Sequence, residues 1–114
     1  TPSSAYDFWK GEFDEWSETE ISMQIITSLL IVADWGQTRN IARNPDKWWE
    51  INPILGRHPS VSKVDKYFLT CLIGNAVITH ILPDEWREWW LASSIGFQTY
   101  CINNNFSLGI NVSF

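Results

Sequence analysis

Ser17-Glu18-Thr19-Glu20, followed by the run ISMQIITSLLIVA over residues 21–33, marks the start of the first structural element. Ser17 and Glu20 are three residues apart, the spacing at which the two side chains cap backbone N–H groups at a helix start. The apolar run that follows directly can bury one side of such a helix. We predict a first helix over residues 17–42.

Prolines and further apolar runs divide the rest of the chain. Residues 43–63 contain three Pro residues and one Gly residue and are predicted to form an ordered loop. A second helix is expected over residues 64–82, where Pro83 ends it, and a third over residues 84–103, whose first turn is acidic as the helix dipole favours. The 114 residues are expected to form a single all-α domain, with residues 1–16 as an amphipathic, aromatic and acidic lead-in.

The C-terminal residues 106–114 alternate strictly between apolar and small or polar side chains. The apolar members are Phe106, Leu108, Ile110, Val112 and Phe114. A period of two predicts a half-buried, strand-like tail. Because one strand cannot satisfy its own backbone, the tail is expected to dock on a partner chain. Pairing within the chain, for example with the 43–60 loop, would weaken the need for that partner.

Charge is distributed unevenly along the chain, whose net charge is −5. The first 20 residues are acidic, residues 37–66 are mostly basic, and no charged side chain follows Glu88. The chain lacks the dominant basic surface of a nucleic-acid-binding protein, so no nucleic-acid partner is predicted. The eight Trp residues suit positions where one end of the side chain is dry and the other wet.

Two interpretations of the apolar runs compete. Each run is shorter than the ~20 residues needed to cross a bilayer, which favours a helical domain with an ordinary core. Three features favour a membrane protein instead: aromatic residues at the ends of the runs, a basic loop between the first two helices, and small or amide side chains within the runs. The residues assigned to the membrane interface are Trp9, Trp16, Trp35, Trp86, Trp89 and Trp90. We therefore predict a three-helix membrane bundle in the bacterial inner membrane, with membrane lipid as a partner, the N-terminus outside and the 36–66 loop cytoplasmic.

One pattern resembles a known group of proteins. Asp34-x-x-x-Thr38, then Glu50-x-Asn52-Pro53, then a second apolar helix resembles a loose group of small bacterial and phage-encoded membrane proteins, including a domain of unknown function. The segment from Asn52 to Ser60 is similar to the phage-type members. The resemblance covers residues 25–110 and implies a multi-helix membrane fold with no known activity. The acidic lead-in is not a feature of the shorter members.

Two groups of polar residues are candidate sites. Asp34 and Thr38 fall on one helical face, where Asp34 is either a functional ionisable group or an anchor for the following loop. His80, Arg87 and Glu20 are expected at one level, either as a buried proton-handling triad or as solvated structural groups. His58 is expected to pack in the loop. We predict no metal, cofactor or catalytic residue, because no ligand spacing or activated nucleophile is present.

The predicted function is a non-catalytic accessory or structural subunit of a larger membrane protein assembly. Two alternatives are a phage or host membrane effector, such as a lysis or superinfection-exclusion protein, and a small membrane enzyme or cofactor-binding subunit that uses Asp34, His58 or His80. Residues assigned to structure or to partner contacts are Asp34, Thr38, Glu50, Asn52, His58, His80, Arg87, Phe106, Leu108, Ile110, Val112 and Phe114.

Overall fold

The computed structural model describes residues 15–114, which form three helices. Helix α1 spans Glu18–Arg43, α2 spans Val61–Ile81 and α3 spans Asp84–Ser107. The all-α prediction is confirmed. The lead-in, including Trp9, lies almost entirely outside the described residues.

Local capping explains where the helices begin and end. The Ser17 hydroxyl accepts the N–H of Glu20, and the Glu20 carboxylate accepts the N–H of Ser17 at 2.8 Å, which completes the capping box of α1. The hydroxyl of Ser60 caps α2 by accepting the N–H of Lys63. The short turn at Pro83 separates α2 from α3, since proline disfavours a helical conformation in the residue before it.

Helix α1 is the central element of the fold. Helices α2 and α3 each pack along α1, whereas they contact each other little. The apolar core is small and consists of Ile31, Leu55, Val64 and Phe68, with Trp35 and Tyr67 packed against it. Leu55 ties the loop between α1 and α2 into this core. A core of this size leaves most apolar side chains of the helices on the outside.

The buried stripe of α1 is mostly polar. Its positions recur at intervals of three and four residues, the spacing of a helix seam: Glu20, Gln24, Thr27, Ile31, Asp34, Thr38 and Ile41. The opposite face of α1 exposes Ile21, Ile25, Ile26 and Leu29. The usual arrangement, with apolar residues inside and polar residues outside, is therefore inverted along much of this helix.

The prediction of a membrane bundle is wrong. Within residues 15–114, no helix combines the length and the apolar composition required to cross a membrane. Polar and charged side chains such as Glu20, Gln24 and Asp34 interrupt the apolar residues and lower the hydropathy of the helix. This finding also contradicts the predicted inner-membrane location and the topology assigned to the N-terminus and the 36–66 loop.

The prediction of a strand-like tail is also wrong, since residues 15–114 contain no strand. Phe106 belongs to the last turn of α3, and Gly109, with a φ of 82°, turns the chain back. Residues 110–114 then run along α1, where the N–H of Ser113 donates to the carbonyl of Gly36 at 3.2 Å. The tail therefore docks on its own chain, so its backbone does not require a partner chain.

Side chains of α1 satisfy the backbone of the tail in place of a second strand. The Asn40 amide donates to the carbonyl of Asn111 at 3.0 Å. The Arg43 guanidinium donates to the carbonyls of Ser113 and Phe114. A Cβ atom at Gly36 would lie 2.5 Å from Val112 Cγ1, so the absence of a side chain at Gly36 allows this close packing.

Candidate functional site

Two groups of polar side chains lie along the buried stripe of α1. We call the first the Arg87 cluster; it consists of Trp16, Glu20, His80 and Arg87. The second lines a cavity around Asp34, which we call the Asp34 cavity. They lie toward opposite ends of α1, because Glu20 is in its first turn and Asp34 is in its second half.

The Arg87 cluster is a hydrogen-bonded clamp at the start of α1. The fully buried Arg87 guanidinium donates to the carbonyls of Thr79 and His80, both at 2.8 Å, and to that of Glu15 at 3.0 Å. It lies 3.5 Å from a carboxylate oxygen of Glu20 and over the ring of Trp16. These bonds connect α2, α3 and the residues before α1, which indicates a structural role. The alternative of a solvated group is wrong, since Glu20 and Arg87 are both buried.

Opposing effects act on the Glu20 carboxyl. Burial alone would raise its pKa, but a side-chain hydrogen bond with Asp84, the N–H of Ser17 and the charge of Arg87 together hold the pKa below its ordinary value. Glu20 is thus a carboxylate at neutral pH. The Trp16 indole N–H donates to His80 Nδ1 at 3.1 Å, which fixes that ring nitrogen as an acceptor.

The Asp34 cavity has a volume of about 370 Å³, within the range of about 300–1,000 Å³ that is typical of small-molecule sites. All three helices and residues 50–55 of the loop line it. The polar lining includes Asp34, Thr38, Glu50, Asn52, Gln98 and Asn105, and the apolar and aromatic lining includes Leu55, Tyr67, Phe68, Phe97 and Tyr100. The cavity is therefore acidic at one side, and its lining includes no Lys, Arg or His.

The Asp34 carboxylate has only long hydrogen bonds. The Thr38 hydroxyl and the Asn105 amide each lie 3.4 Å from Asp34 Oδ1. The single Thr38 proton has a better acceptor 2.8 Å away, the backbone carbonyl of Asp34. Asp34 Oδ2 accepts no hydrogen bond from residues 15–114. Asp34 is nonetheless only 7% exposed, so its charge is poorly compensated.

This environment changes the acidity of Asp34. Burial, reinforced by the negative charge of Glu50, raises the pKa of Asp34 to about 7, against the smaller opposing effect of Thr38. Glu50 itself is held in place by the loop, because its Oε1 accepts the N–H groups of Ile51 and Asn52. Asp34 therefore changes charge near neutral pH.

The two cysteines of the cavity are not activated nucleophiles. Burial raises the pKa of both thiols, and that of Cys101 reaches about 11. Both thiols are therefore protonated at neutral pH, whereas a reactive cysteine needs a depressed pKa. Within residues 15–114, no three His, Cys, Asp or Glu side chains converge to hold a metal ion.

A chain of polar contacts joins the three helices between the two clusters. The Gln24 amide donates to Asn75 Oδ1 at 2.9 Å, and the Asn75 amide donates to the Ser94 hydroxyl at 3.0 Å. The Trp90 indole N–H donates to the Thr79 hydroxyl at 3.0 Å. Polar side chains thus replace apolar packing in this part of the interior.

The side of the protein where α2 and α3 diverge carries an open groove of about 410 Å³. We call it the α2–α3 groove. Its floor includes Ile31, and its walls carry Gly74, Ile78, Trp90, Ser93, Ser94 and Phe97. No charged side chain lines it. It adjoins the Asp34 cavity, because Tyr67, Cys71, Phe97 and Gln98 line both.

The structure brings together some of the residues predicted from sequence and separates others. Asp34, Thr38, Glu50 and Asn52 share one cavity, and Asn52 also donates to the Tyr67 hydroxyl at 2.8 Å. His80 and Arg87 belong to the other cluster, whereas His58 is exposed on the loop and lines neither. In the tail, Ile110 is buried, while Phe106 and Leu108 are exposed.

The assignment of Trp16, Trp35, Trp86, Trp89 and Trp90 to a membrane interface loses its basis, since no spanning helix was found within residues 15–114. Trp16 and Trp90 use their indole N–H groups inside the protein, and Trp35 donates to Asp65 at 2.8 Å. Trp86 and Trp89 are exposed on α3.

Sequence reasoning missed several residues of the cavity, namely Tyr67, Gln98, Cys101 and Asn105. The heptad-like spacing of Glu20, Gln24, Thr27, Asp34 and Thr38 was the available signal. It identifies the buried face of α1 and hence the side on which the other helices must supply polar partners.

Comparisons of the chain with family models, with curated proteins and with solved structures gave no match. The resemblance to small bacterial and phage-encoded proteins therefore stays a prediction.

Proposed function

We propose that the chain is a non-catalytic accessory subunit of a larger protein assembly, and that an apolar, uncharged helix of a partner chain packs into the α2–α3 groove. The observation that carries the proposal is the inverted distribution of polar and apolar side chains. The interior holds Glu20, Asp34 and Arg87, while Leu29 and Trp89 are 65% and 73% exposed. Many other large apolar side chains of the helices are also exposed, and apolar surface on this scale is characteristic of protein–protein contacts.

The shape of the groove supports a helix as its occupant. Helices α2 and α3 both pack on α1 but diverge from each other, so the groove runs between two helices with α1 beneath it. Gly74, Ser93 and Ser94 are small, and a Cβ atom added at Gly74 would meet no atom within 4 Å. A partner backbone could approach closely there, and the large side chains of Ile78, Trp90 and Phe97 would pack around it.

The chemistry of the groove supports an uncharged partner segment. The lining contains no acidic or basic side chain that could pair with a charge on the partner. A charged side chain placed there would lose its hydration without compensation, which costs free energy.

The proposal is tested by comparing two glycine substitutions in the native host. Gly74→Leu would fill the groove, whereas Gly96→Leu places the same side chain in open space outside it. We expect wild type and Gly96→Leu to migrate in one large complex with an unrelated chain on native gels, and Gly74→Leu to migrate as the free subunit. Equal migration of the wild type and both variants would contradict the proposal. So would a wild-type complex that contains only copies of this chain.

A further inference from the structure

The Asp34 cavity contains hydrogen-bond acceptors that have no donor among the described residues. Asp34 Oδ2 accepts no bond from the described residues, Gln98 Oε1 is buried without a partner, and only one oxygen of Glu50 is used by the loop. Thr38, Asn52 and Asn105 use their side-chain donors within the chain, and no Lys, Arg or His side chain lines the cavity. The site is therefore incomplete in a specific way, because it offers negative charge and acceptors but no cation.

The remaining walls of the cavity are apolar and aromatic. Leu55 and Phe68 belong to the core, and Phe97 and Tyr100 lie on α3 with much of their ring surface exposed. Such walls favour the burial of hydrocarbon and present aromatic faces, which attract cations. They are poorly suited to a hydrated metal ion, which prefers several oxygen ligands.

We propose that the Asp34 cavity binds a small organic cation, a primary amine with an apolar body, whose ammonium group lies between Asp34 and Glu50 and donates to Gln98. The three hydrogens of an ammonium group match the three acceptors, and the chain of the amine lies against Phe68 and Phe97. The charged end of this site, formed by α1 and the loop, lies outside the α2–α3 groove, whereas Phe97 and Gln98 line both.

The charge state of Asp34 makes binding dependent on pH. The titratable groups of the cavity besides Asp34 are Glu50 from the loop, Tyr67 and Cys71 from α2, and Tyr100 and Cys101 from α3. Burial raises the pKa values of the Tyr67 phenol and of both thiols, so these three groups stay neutral below pH 8. An alkylamine stays protonated over the same range. Since the pKa of Asp34 is about 7, its ionisation changes strongly between pH 6 and pH 8.

The experiment is isothermal titration calorimetry of the purified full chain with hexylammonium chloride at pH 8. We expect saturable one-to-one binding, with 1-hexanol at least about tenfold weaker because it lacks the charge, and hexanoate weaker still. We expect the affinity for hexylammonium to fall about tenfold from pH 8 to pH 6, as Asp34 becomes protonated.

Variants locate the site. Asp34→Asn keeps the shape of the side chain and should weaken hexylammonium binding at least about tenfold, and Glu50→Gln should weaken it by a smaller factor. Asp46→Asn removes an exposed carboxylate that does not line the cavity and should change affinity by less than about twofold. Circular dichroism and thermal unfolding verify that each variant is folded.

Four results would overturn the inference, and the first three are no saturable binding of hexylammonium to the folded wild type, equal affinity for 1-hexanol and hexylammonium, and full binding by Asp34→Asn. The fourth is displacement of hexylammonium by millimolar calcium chloride, which would assign the acidic groups to a metal ion. None of these outcomes depends on a partner chain, so failure here is separate from failure of the proposed function.

Discussion

The carboxylate of Glu20 lies 3.5 Å from the guanidinium of Arg87, and the side chains are 2% and 0% exposed respectively. The two residues come from the first turns of α1 and α3, so this ion pair fixes how one end of the bundle is assembled. Removing one member of a buried pair leaves the other charge in the interior without compensation.

The first prediction concerns this ion pair. Arg87→Leu is expected to lower the free energy of unfolding by about 3–5 kcal/mol, because it leaves Glu20 buried and removes the guanidinium donors. Arg39→Leu is the matched control, since the pair between Arg39 and Asp65 is partly exposed. It should cost about 0–1 kcal/mol. Urea denaturation of both variants measures the two losses in free energy of unfolding. Equal losses would show that the buried pair of Arg87 and Glu20 contributes no more to stability than the partly exposed pair.

The second prediction concerns Asp34 and pH. The pKa of Asp34 is about 7 in the folded chain and near 3.8 when unfolded, so between these values the folded state binds the extra proton. Stability from this group is therefore greatest at low pH and falls as the pH rises toward 7. Asp34→Asn should remove this dependence and stabilise the chain at pH 8 by up to about 4 kcal/mol.

The check for Asp34 is urea denaturation of wild type and Asp34→Asn between pH 4.5 and pH 8. The difference in free energy of unfolding should grow across this range and level off above pH 7. A constant difference would mean that the Asp34 carboxyl ionises as it does in water.

The sequence predicted the parts of the fold that depend on local chemistry. Ser17 and Glu20 marked the start of α1 by their spacing, and Pro83 marked the turn between α2 and α3. Asp34, Thr38, Glu50 and Asn52 were singled out from one motif and do line one cavity. Local signals succeeded here because caps, turns and short motifs are determined by residues close together in the chain.

The failures arose where distant contacts determine the outcome. The alternation in residues 106–114 predicted a strand, but Phe106 continues α3 and the side chains of Asn40 and Arg43 satisfy the tail. The Trp placement predicted a membrane interface, but Trp16 and Trp90 find polar partners on other helices. Neither kind of partner can be identified from local spacing.

The third prediction concerns the close approach of the tail to α1. Gly36→Ala should destabilise the chain by about 1–2 kcal/mol, because the new Cβ clashes with Val112, and this outweighs the gain of about 1 kcal/mol in helix propensity. Gly96→Ala, also in a helix but facing open space, should stabilise it by up to about 1 kcal/mol. Thermal unfolding measures both, and a gain of equal size in both variants would contradict the packing of the tail on α1.

The fourth prediction concerns the anchoring of the tail. Ile110 is 1% exposed and Leu108 is 59% exposed, although the two are close in sequence. Ile110→Ala should lower the free energy of unfolding by about 2–5 kcal/mol. Leu108→Ala should change it by less than about 0.5 kcal/mol. Losses of the same size would mean that the tail does not pack against α1 in solution.

The fifth prediction addresses the partner helix directly. A photoreactive benzoylphenylalanine at Ser93, which lines the α2–α3 groove, should cross-link in the native host to one apolar, uncharged helical segment of another chain. The same probe at the exposed Thr99, which does not line the groove, should not cross-link to that segment.

The most direct measurement of the central claim combines the photoreactive residue at position 93 with either Gly74→Leu or Gly96→Leu in the same chain. Mass spectrometry then identifies the cross-linked segment in each case. The proposal predicts a single cross-linked segment that disappears with Gly74→Leu and persists with Gly96→Leu. Cross-links to many unrelated chains, to another copy of this chain, or to a segment retained with Gly74→Leu would contradict it.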